Sequence, residues 1–191
     1  MTQHFIIGIS GASGAIYGVR LLEVLRAAEG VETHLIMSKM AHVTAKTESD
    51  MDISAIQAMA DHVYQPQDLA ACLSSGSSKT AGMIVAPCSM RSLAEIANGM
   101  SSNLLTRAAD VVLKERRKLV LLPRETPLNS AHLRNMLAVS DMGGIIAPPV
   151  PAFYQRPESL DAMVNHTVGR VLDLFDLEHD LVSRWQGLRV R

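Results

Sequence analysis

Phe5-Ile6-Ile7-Gly8-Ile9-Ser10-Gly11-Ala12-Ser13-Gly14 sets the direction of the fold: a short β-rich apolar run breaks into a turn of glycine and serine. Behind it, Val19, Leu22 and Leu25 recur at helical spacing, which predicts a helix over roughly 15 to 28 with one apolar stripe against a sheet. The order strand, tight turn, helix then repeats. Val31 to Met37 reads as the next strand, and Met83-Ile84-Val85-Ala86, Leu119-Val120-Leu121-Leu122 and Gly144-Ile145-Ile146-Ala147 as further buried strands. Helical stretches near 52 to 61, 89 to 97, 103 to 117 and 130 to 141 alternate with them, and a last helix is expected over 159 to 174. This pattern predicts an α/β fold with a mostly parallel central sheet covered on both faces.

The chain has 191 residues, 48% of them hydrophobic, which suits one globular domain with a sizeable core. Eighteen Lys plus Arg against 19 Asp plus Glu leave a net charge of -1, so no global field favours nucleic acid or an anionic membrane. Cys72 and Cys88 are the only cysteines, which argues against a disulfide scaffold or a cysteine-rich metal site. The seven histidines carry no zinc-ligand spacing, so no metal is expected; His132 is read as surface polarity and Cys88 as a packed residue. The start at Met1 lacks the pattern of a secretory signal, and no apolar run reaches the roughly 18 residues of a membrane span. A cytoplasmic protein without integral membrane association is the expectation. The tail over about 176 to 191, with Trp185, is expected to cap the core or pack at an interface.

Glycines in the Ser10, Gly11, Ala12, Ser13, Gly14 turn allow a close approach, and the serines with the following helix N-terminus can donate hydrogen bonds to an anion. The spacing is neither GxGxxG nor a Walker loop, and a purely structural turn is the competing reading. Arg107 and Lys114 fall about two turns apart on one side of a predicted helix, where they either grip a phosphate or form a salt-bridged face. Arg124 and Glu125 follow a buried strand, where functional loops emerge in parallel sheets; a capping or ion-pair role competes. Ser89 either caps the next helix or meets the polar edge of a cofactor. Prolines over 147 to 152 hold Phe153 and Tyr154 either over a cleft or in a packed connector.

Taken in order, Gly8-Ile9-Ser10-Gly11-Ala12-Ser13-Gly14-Ala15-Ile16-Tyr17-Gly18, Ala86-Pro87-Cys88-Ser89-Met90, the run from Arg107 to Arg117, Arg124-Glu125-Thr126-Pro127-Leu128 and Pro149-Val150-Pro151-Ala152-Phe153-Tyr154 resemble the UbiX/Pad1 family of flavin prenyltransferases. The resemblance spans almost the whole chain. It implies a three-layer, Rossmann-like flavoprotein fold and an enzyme that joins the dimethylallyl group of dimethylallyl monophosphate to reduced FMN. The products it implies are phosphate and prenylated FMN, the latter passed to a UbiD-type decarboxylase. It further implies a homo-dodecamer with active sites at subunit interfaces. An FMN-dependent cysteine-type decarboxylase and a non-catalytic flavin-binding scaffold are the alternatives.

The resemblance places the Ser10 to Gly14 turn at the phosphate-bearing end of the flavin, with Ser13, Ser38, Ser89 and Arg124 in the flavin pocket. Arg107, Lys114, Arg124, Tyr154 and Arg170 are assigned to the prenyl phosphate. Glu125 is the implied proton-transfer residue, with Ser13 and Glu48 beside it in the catalytic set and Glu48 contributed across a subunit boundary. Ser78 stands where the family loop often carries a bulky aromatic, which implies a more open prenyl pocket.

Overall fold

A computed structural model describes residues 2–182 and 187, so Trp185 lies outside the described residues. The chain divides into two compact units, Met1–Pro149 and Val150–Arg191. The first holds β1 (Gln3–Ile9), α1 (Ala15–Ala27), β2 (Val31–Met37), α2 (Lys39–Glu48), α3 (Ile53–Gln57), β3 (His62–Tyr64), β4 (Gly82–Cys88), α4 (Met90–Ala97), α5 (Leu104–Lys114), β5 (Lys118–Pro123), α6 (Ser130–Asp141) and β6 (Ile145–Ile146). The second holds a 3-10 turn at Phe153–Gln155 and α7 (Leu160–Asp173).

The six strands form one sheet in the order β3-β2-β1-β4-β5-β6, and every neighbouring pair is parallel. Strands buried on both faces read as continuous apolar runs, which is why β1, β4 and β5 stand out in the sequence. Alternation along each strand sends Ile6, Ile36, Met83, Val85, Leu119 and Leu121 to the face packed by α5 through Leu105, Ala108 and Val112. Phe5, Ile7 and Ile9 point to the opposite face and are fully buried. Gly18 of α1 is a point of close approach: a Cβ there would lie 2.4 Å from the Ala86 carbonyl oxygen. No helix among the described residues is long and apolar enough to cross a membrane.

The helix expected over 52 to 61 stops at Gln57. Asp61 is drawn instead to β2, where one of its carboxylate oxygens accepts from the Thr33 N–H at 2.8 Å and the Thr33 hydroxyl at 2.9 Å. The helix expected over 103 to 117 ends at Lys114 because Arg116 adopts φ 56°, a left-handed conformation that a helix interior does not accept. Helix α2 and the short edge strand β3 are additions to the elements expected from sequence.

Candidate active site at the strand switch point

Strand order reverses between β1 and β4: the chain runs from β1 outward through β2 to β3, then crosses back to β4. In open parallel sheets the carboxyl ends on either side of such a reversal part and leave a crevice for a ligand. The 10–14 turn leaves β1 there, and Ser89 follows β4 on the other side. Ser10 staples the two together. Its hydroxyl donates to the Pro87 carbonyl at 2.8 Å and accepts from the Ser89 N–H at 2.7 Å, with only 1% of the residue exposed. Its proton is thus spent on the protein, and what it offers a ligand is the shape of the turn. Gly14 adopts φ 102°, which glycine tolerates and other residues rarely do.

Glu48, the last residue of α2, reaches this turn within its own chain. Its carboxylate accepts from the Gly14 N–H at 2.9 and 3.1 Å and from the Ala15 N–H at 3.1 Å. A negative group therefore sits on the N-terminus of α1, where the helix dipole and open amide groups favour an anion. Ser38 caps α2, accepting from the Ala41 N–H at 3.1 Å, while its own N–H donates to the Ile9 carbonyl at 2.9 Å. Ser89 caps α4 through the Ser92 N–H at 3.2 Å. The N-termini of α1, α2 and α4 are in this way gathered around the ends of β1 and β4.

Arg124 closes the group from the end of β5. Its Nε donates to the Ser13 carbonyl at 3.1 Å and its N–H to the Cys88 carbonyl at 3.2 Å, which fixes an exposed guanidinium beside the turn. Glu125, also exposed, accepts from the Thr126 N–H at 3.0 Å. The structure thus brings Ser10, Gly11, Ala12, Ser13, Gly14, Ser38, Glu48, Ser89 and Arg124 to one rim, with Glu125 beside Arg124 in the chain.

Arg107 and Lys114 are engaged elsewhere in the first unit. Arg107 donates to the Asp110 carboxylate at 2.7 Å and to the Ser74 carbonyl at 3.1 Å, and Lys114 pairs with Glu115. Arg117 adds bonds to the Gly76 carbonyl at 2.7 Å and the Ser78 carbonyl at 2.5 Å, so these cations fasten the 74–80 loop to the end of α5. The salt-bridged helix face read as an alternative from the sequence is present. Lys114 precedes the first residue of β5 whereas Arg124 follows its last, so the length of that strand, about 16 Å, separates them within one chain.

In the second unit, the Tyr154 hydroxyl lies 3.2 Å from Nε2 of His166, with the rings edge to face. His166 is one helical turn before Arg170, which donates to the Asp173 carboxylate at 2.6 Å. Burial, then the nearby Arg170 charge, lowers the His166 pKa. His166 stands outside every motif picked out in the sequence, and Arg117 enters there only as the end of the run from Arg107. His132 closes a capping box with Asn129 at the start of α6.

A flavin mononucleotide fits the switch-point donors. The helix N-termini and the Arg124 guanidinium suit its phosphate, as the Glu48 carboxylate on the Gly14 and Ala15 amides demonstrates for an anion. The fold and this donor set define a flavoprotein, and the Flavoprotein family matches residues 1–174. The chain is 55% identical over 187 residues to the flavin prenyltransferase UbiX of Escherichia coli K12, covering 97% of this chain and 99% of that protein. Among solved structures, a dodecameric FMN-dependent UbiX-like decarboxylase from Escherichia coli O157:H7 superposes with a TM-score of 0.95 at 54% identity, over 97% of this chain and 100% of that one. AnUbiX (PadA1) in complex with FMN and dimethylallyl pyrophosphate superposes with a TM-score of 0.96 at 49% identity, over 99% and 100%. The chain belongs to the UbiX flavin prenyltransferase family.

Proposed function

We propose that the protein joins the dimethylallyl group of dimethylallyl monophosphate to N5 and C6 of reduced FMN, giving prenylated FMN and phosphate. The observation that carries this reading is the likeness to the Escherichia coli UbiX along the whole chain. Reduced FMN supplies the electron-rich ring that takes the allylic carbon when the carbon-oxygen bond breaks. The 10–14 turn, Ser38, Ser89 and Arg124 hold and orient the flavin, with Arg124 positioned by Ser13. Arg107, Lys114, Arg124, Tyr154 and Arg170 bind the donor phosphate and stabilise the charge that grows on it as it leaves.

Glu125 delivers a proton to the departing phosphate as N5 takes the allylic carbon. The proton that N5 gives up goes to the prenyl double bond, whose tertiary carbon then bonds C6. Glu125 takes back the proton lost from C6, so its protonation state is reset within each turnover. Ser13 and Glu48 complete the catalytic set. The distance along β5 between Lys114 and Arg124 supports a phosphate site assembled from more than one protomer, and the dodecameric relative supports a homo-dodecamer. The product serves a UbiD-type decarboxylase in the cytoplasm.

The test is anaerobic incubation with reduced FMN and either dimethylallyl monophosphate or the pyrophosphate, followed by mass analysis of the extracted flavin and a phosphate assay. The expected result is a flavin heavier by one five-carbon prenyl unit with matched phosphate release from the monophosphate. Glu125→Gln is expected to bind both partners while slowing product formation about 100-fold or more. Bound FMN left unmodified by both donors would overturn the reading in favour of cysteine-type decarboxylation or a scaffold.

A further inference from the structure

At the other end of the sheet from the flavin turn, strands β1, β2 and β3 place a second set of chemistry-bearing side chains together. The register pairs His4 with Glu32 and His34 with His62. Strand alternation puts Glu32 and His34 on one face of β2, so all four residues project to the same side. His4 and Ile9 are separated by most of the length of β1, about 16 Å, which sets this cluster apart from the 10–14 turn.

We propose that His4, Glu32 and His34 form a binding site for a divalent transition-metal ion of the zinc class. One donor atom from each residue lies within 4.8 Å of the others. His4 Nδ1 is 3.2 Å from His34 Nε2 and 3.5 Å from Glu32 Oε2. Bonds of about 2.05 Å in a tetrahedral site put neighbouring donors about 3.3 Å apart, so an ion enters with little movement of these groups. Two imidazoles and one carboxylate suit zinc, copper or nickel, whereas magnesium and calcium want oxygen alone.

The surroundings are those of a supported ligand set. His34 Nδ1 lies 3.0 Å from the Tyr64 hydroxyl, which turns Nε2 toward His4. Such outer partners fix the orientation of a metal-binding imidazole. His62 stacks on His34 with ring centroids 4.7 Å apart, and its Nε2 is 3.4 Å from Glu32 Oε2. Burial first, then the neighbouring His62 and His4, lowers the His34 pKa to about 4, so the ring is neutral and able to ligate at pH 7. His34 is buried, while the side chains of His4 and Glu32 are 35% and 41% exposed, giving the ion a path in and a fourth position for water. The ion takes the place of the proton that lies between the two ring nitrogens, and the ring that carried it keeps that proton on its other nitrogen. The effect of the ion is to tie β1 to β2 at the amino end of the sheet, a role independent of prenyl transfer.

The experiment uses the full chain without an affinity tag, stripped of metal by chelation. Zinc chloride titration by calorimetry is paired with cobalt(II) absorption, whose visible bands report tetrahedral coordination. We expect one ion per chain, a zinc-dependent rise in melting temperature, and affinity weakened at least about tenfold in His4→Gln and in Glu32→Gln. Both positions lie at the exposed rim, so these variants keep the fold; His42→Gln is the control and is expected to bind as the parent does. Absence of binding at millimolar zinc would overturn the proposal, as would affinity unchanged in both rim variants.

Discussion

Glu48 closes the N-terminus of the helix that follows β1: its carboxylate lies 2.9 Å from the Gly14 amide nitrogen although α1, β2 and the rest of α2 lie between the two in sequence. A carboxylate there is favoured by the α1 dipole, so Glu48→Gln is expected to lower the unfolding free energy of flavin-free protein by about 1 kcal/mol. Urea denaturation at neutral pH checks this. An unchanged midpoint would mean that the charge contributes nothing to the cap.

Ser10→Ala removes the hydroxyl that joins the Pro87 carbonyl to the Ser89 N–H. The Ser89 N–H loses its partner in a place with little access to water, while the Pro87 carbonyl keeps the Ser10 N–H at 3.2 Å, for a cost of about 2 kcal/mol. Because the same bonds set the spacing of the two loops, the variant is also expected to lose flavin more readily on gel filtration. A variant as stable as the parent would show that water replaces the hydroxyl.

Arg124→Ala separates the flavin phosphate from the flavin ring as determinants of affinity. If the guanidinium held beside Ser13 meets the phosphate, FMN binding falls at least about tenfold while riboflavin binding changes little. Fluorescence titration with both ligands gives the answer; equal losses would assign Arg124 to the shape of the pocket.

Glu95 is only 8% exposed and accepts from the Ser102 hydroxyl at 2.6 Å, Arg91 Nε at 2.9 Å and Asn103 Nδ2 at 3.3 Å, holding the end of α4 to the start of α5. Burial pushes its carboxyl up, but the bonds from Ser102 and Arg91 outweigh burial and hold it below the ordinary value of 4.5. A depressed carboxylate stabilises the fold above its unfolded pKa and loses that contribution as pH falls through the folded one. Glu95→Gln is therefore expected to cost about 2 kcal/mol at pH 7 and to draw toward the parent as pH falls from neutrality through the depressed folded pKa. Parallel stability curves from pH 7 to pH 3 would refute this.

Thiol labelling should divide the two cysteines. Burial pushes the Cys88 thiol up to about 12, whereas Cys72 is exposed. A disulfide reagent at pH 8 is expected to modify one thiol per native chain, and two only after denaturation. Fast labelling of both would mean that the end of β4 opens readily.

Strand β2, buried from Thr33 to Met37, read clearly and occupies the expected range of 31 to 37. Helix α6 occupies the expected 130 to 141 although it buries only Val139. Helix α2 escaped notice because its buried face is Ala41 and Ala45, while the larger Met40 and Val43 point to solvent. Strand β3 is three residues at an edge, too short for a period. At the site, the turn and Arg124 were legible because each follows a buried strand. The position of Lys114 against the 74–80 loop depends on a fold-back that no local pattern encodes. The histidine and glutamate cluster was invisible for the same reason: its members come from different strands, and only register brings them together.

The length of β5 between Lys114 and Arg124 gives the proposed shared phosphate site a genetic corollary. If each pocket borrows cations from a neighbour, Lys114→Ala and Glu125→Gln chains damage different contributions to it. Two inactive preparations, dissociated and reassembled together, would then regain turnover in the pockets that receive both intact halves. Activity would belong to the mixture and not to either chain, and dilution below the assembly threshold would silence even the unmodified protein.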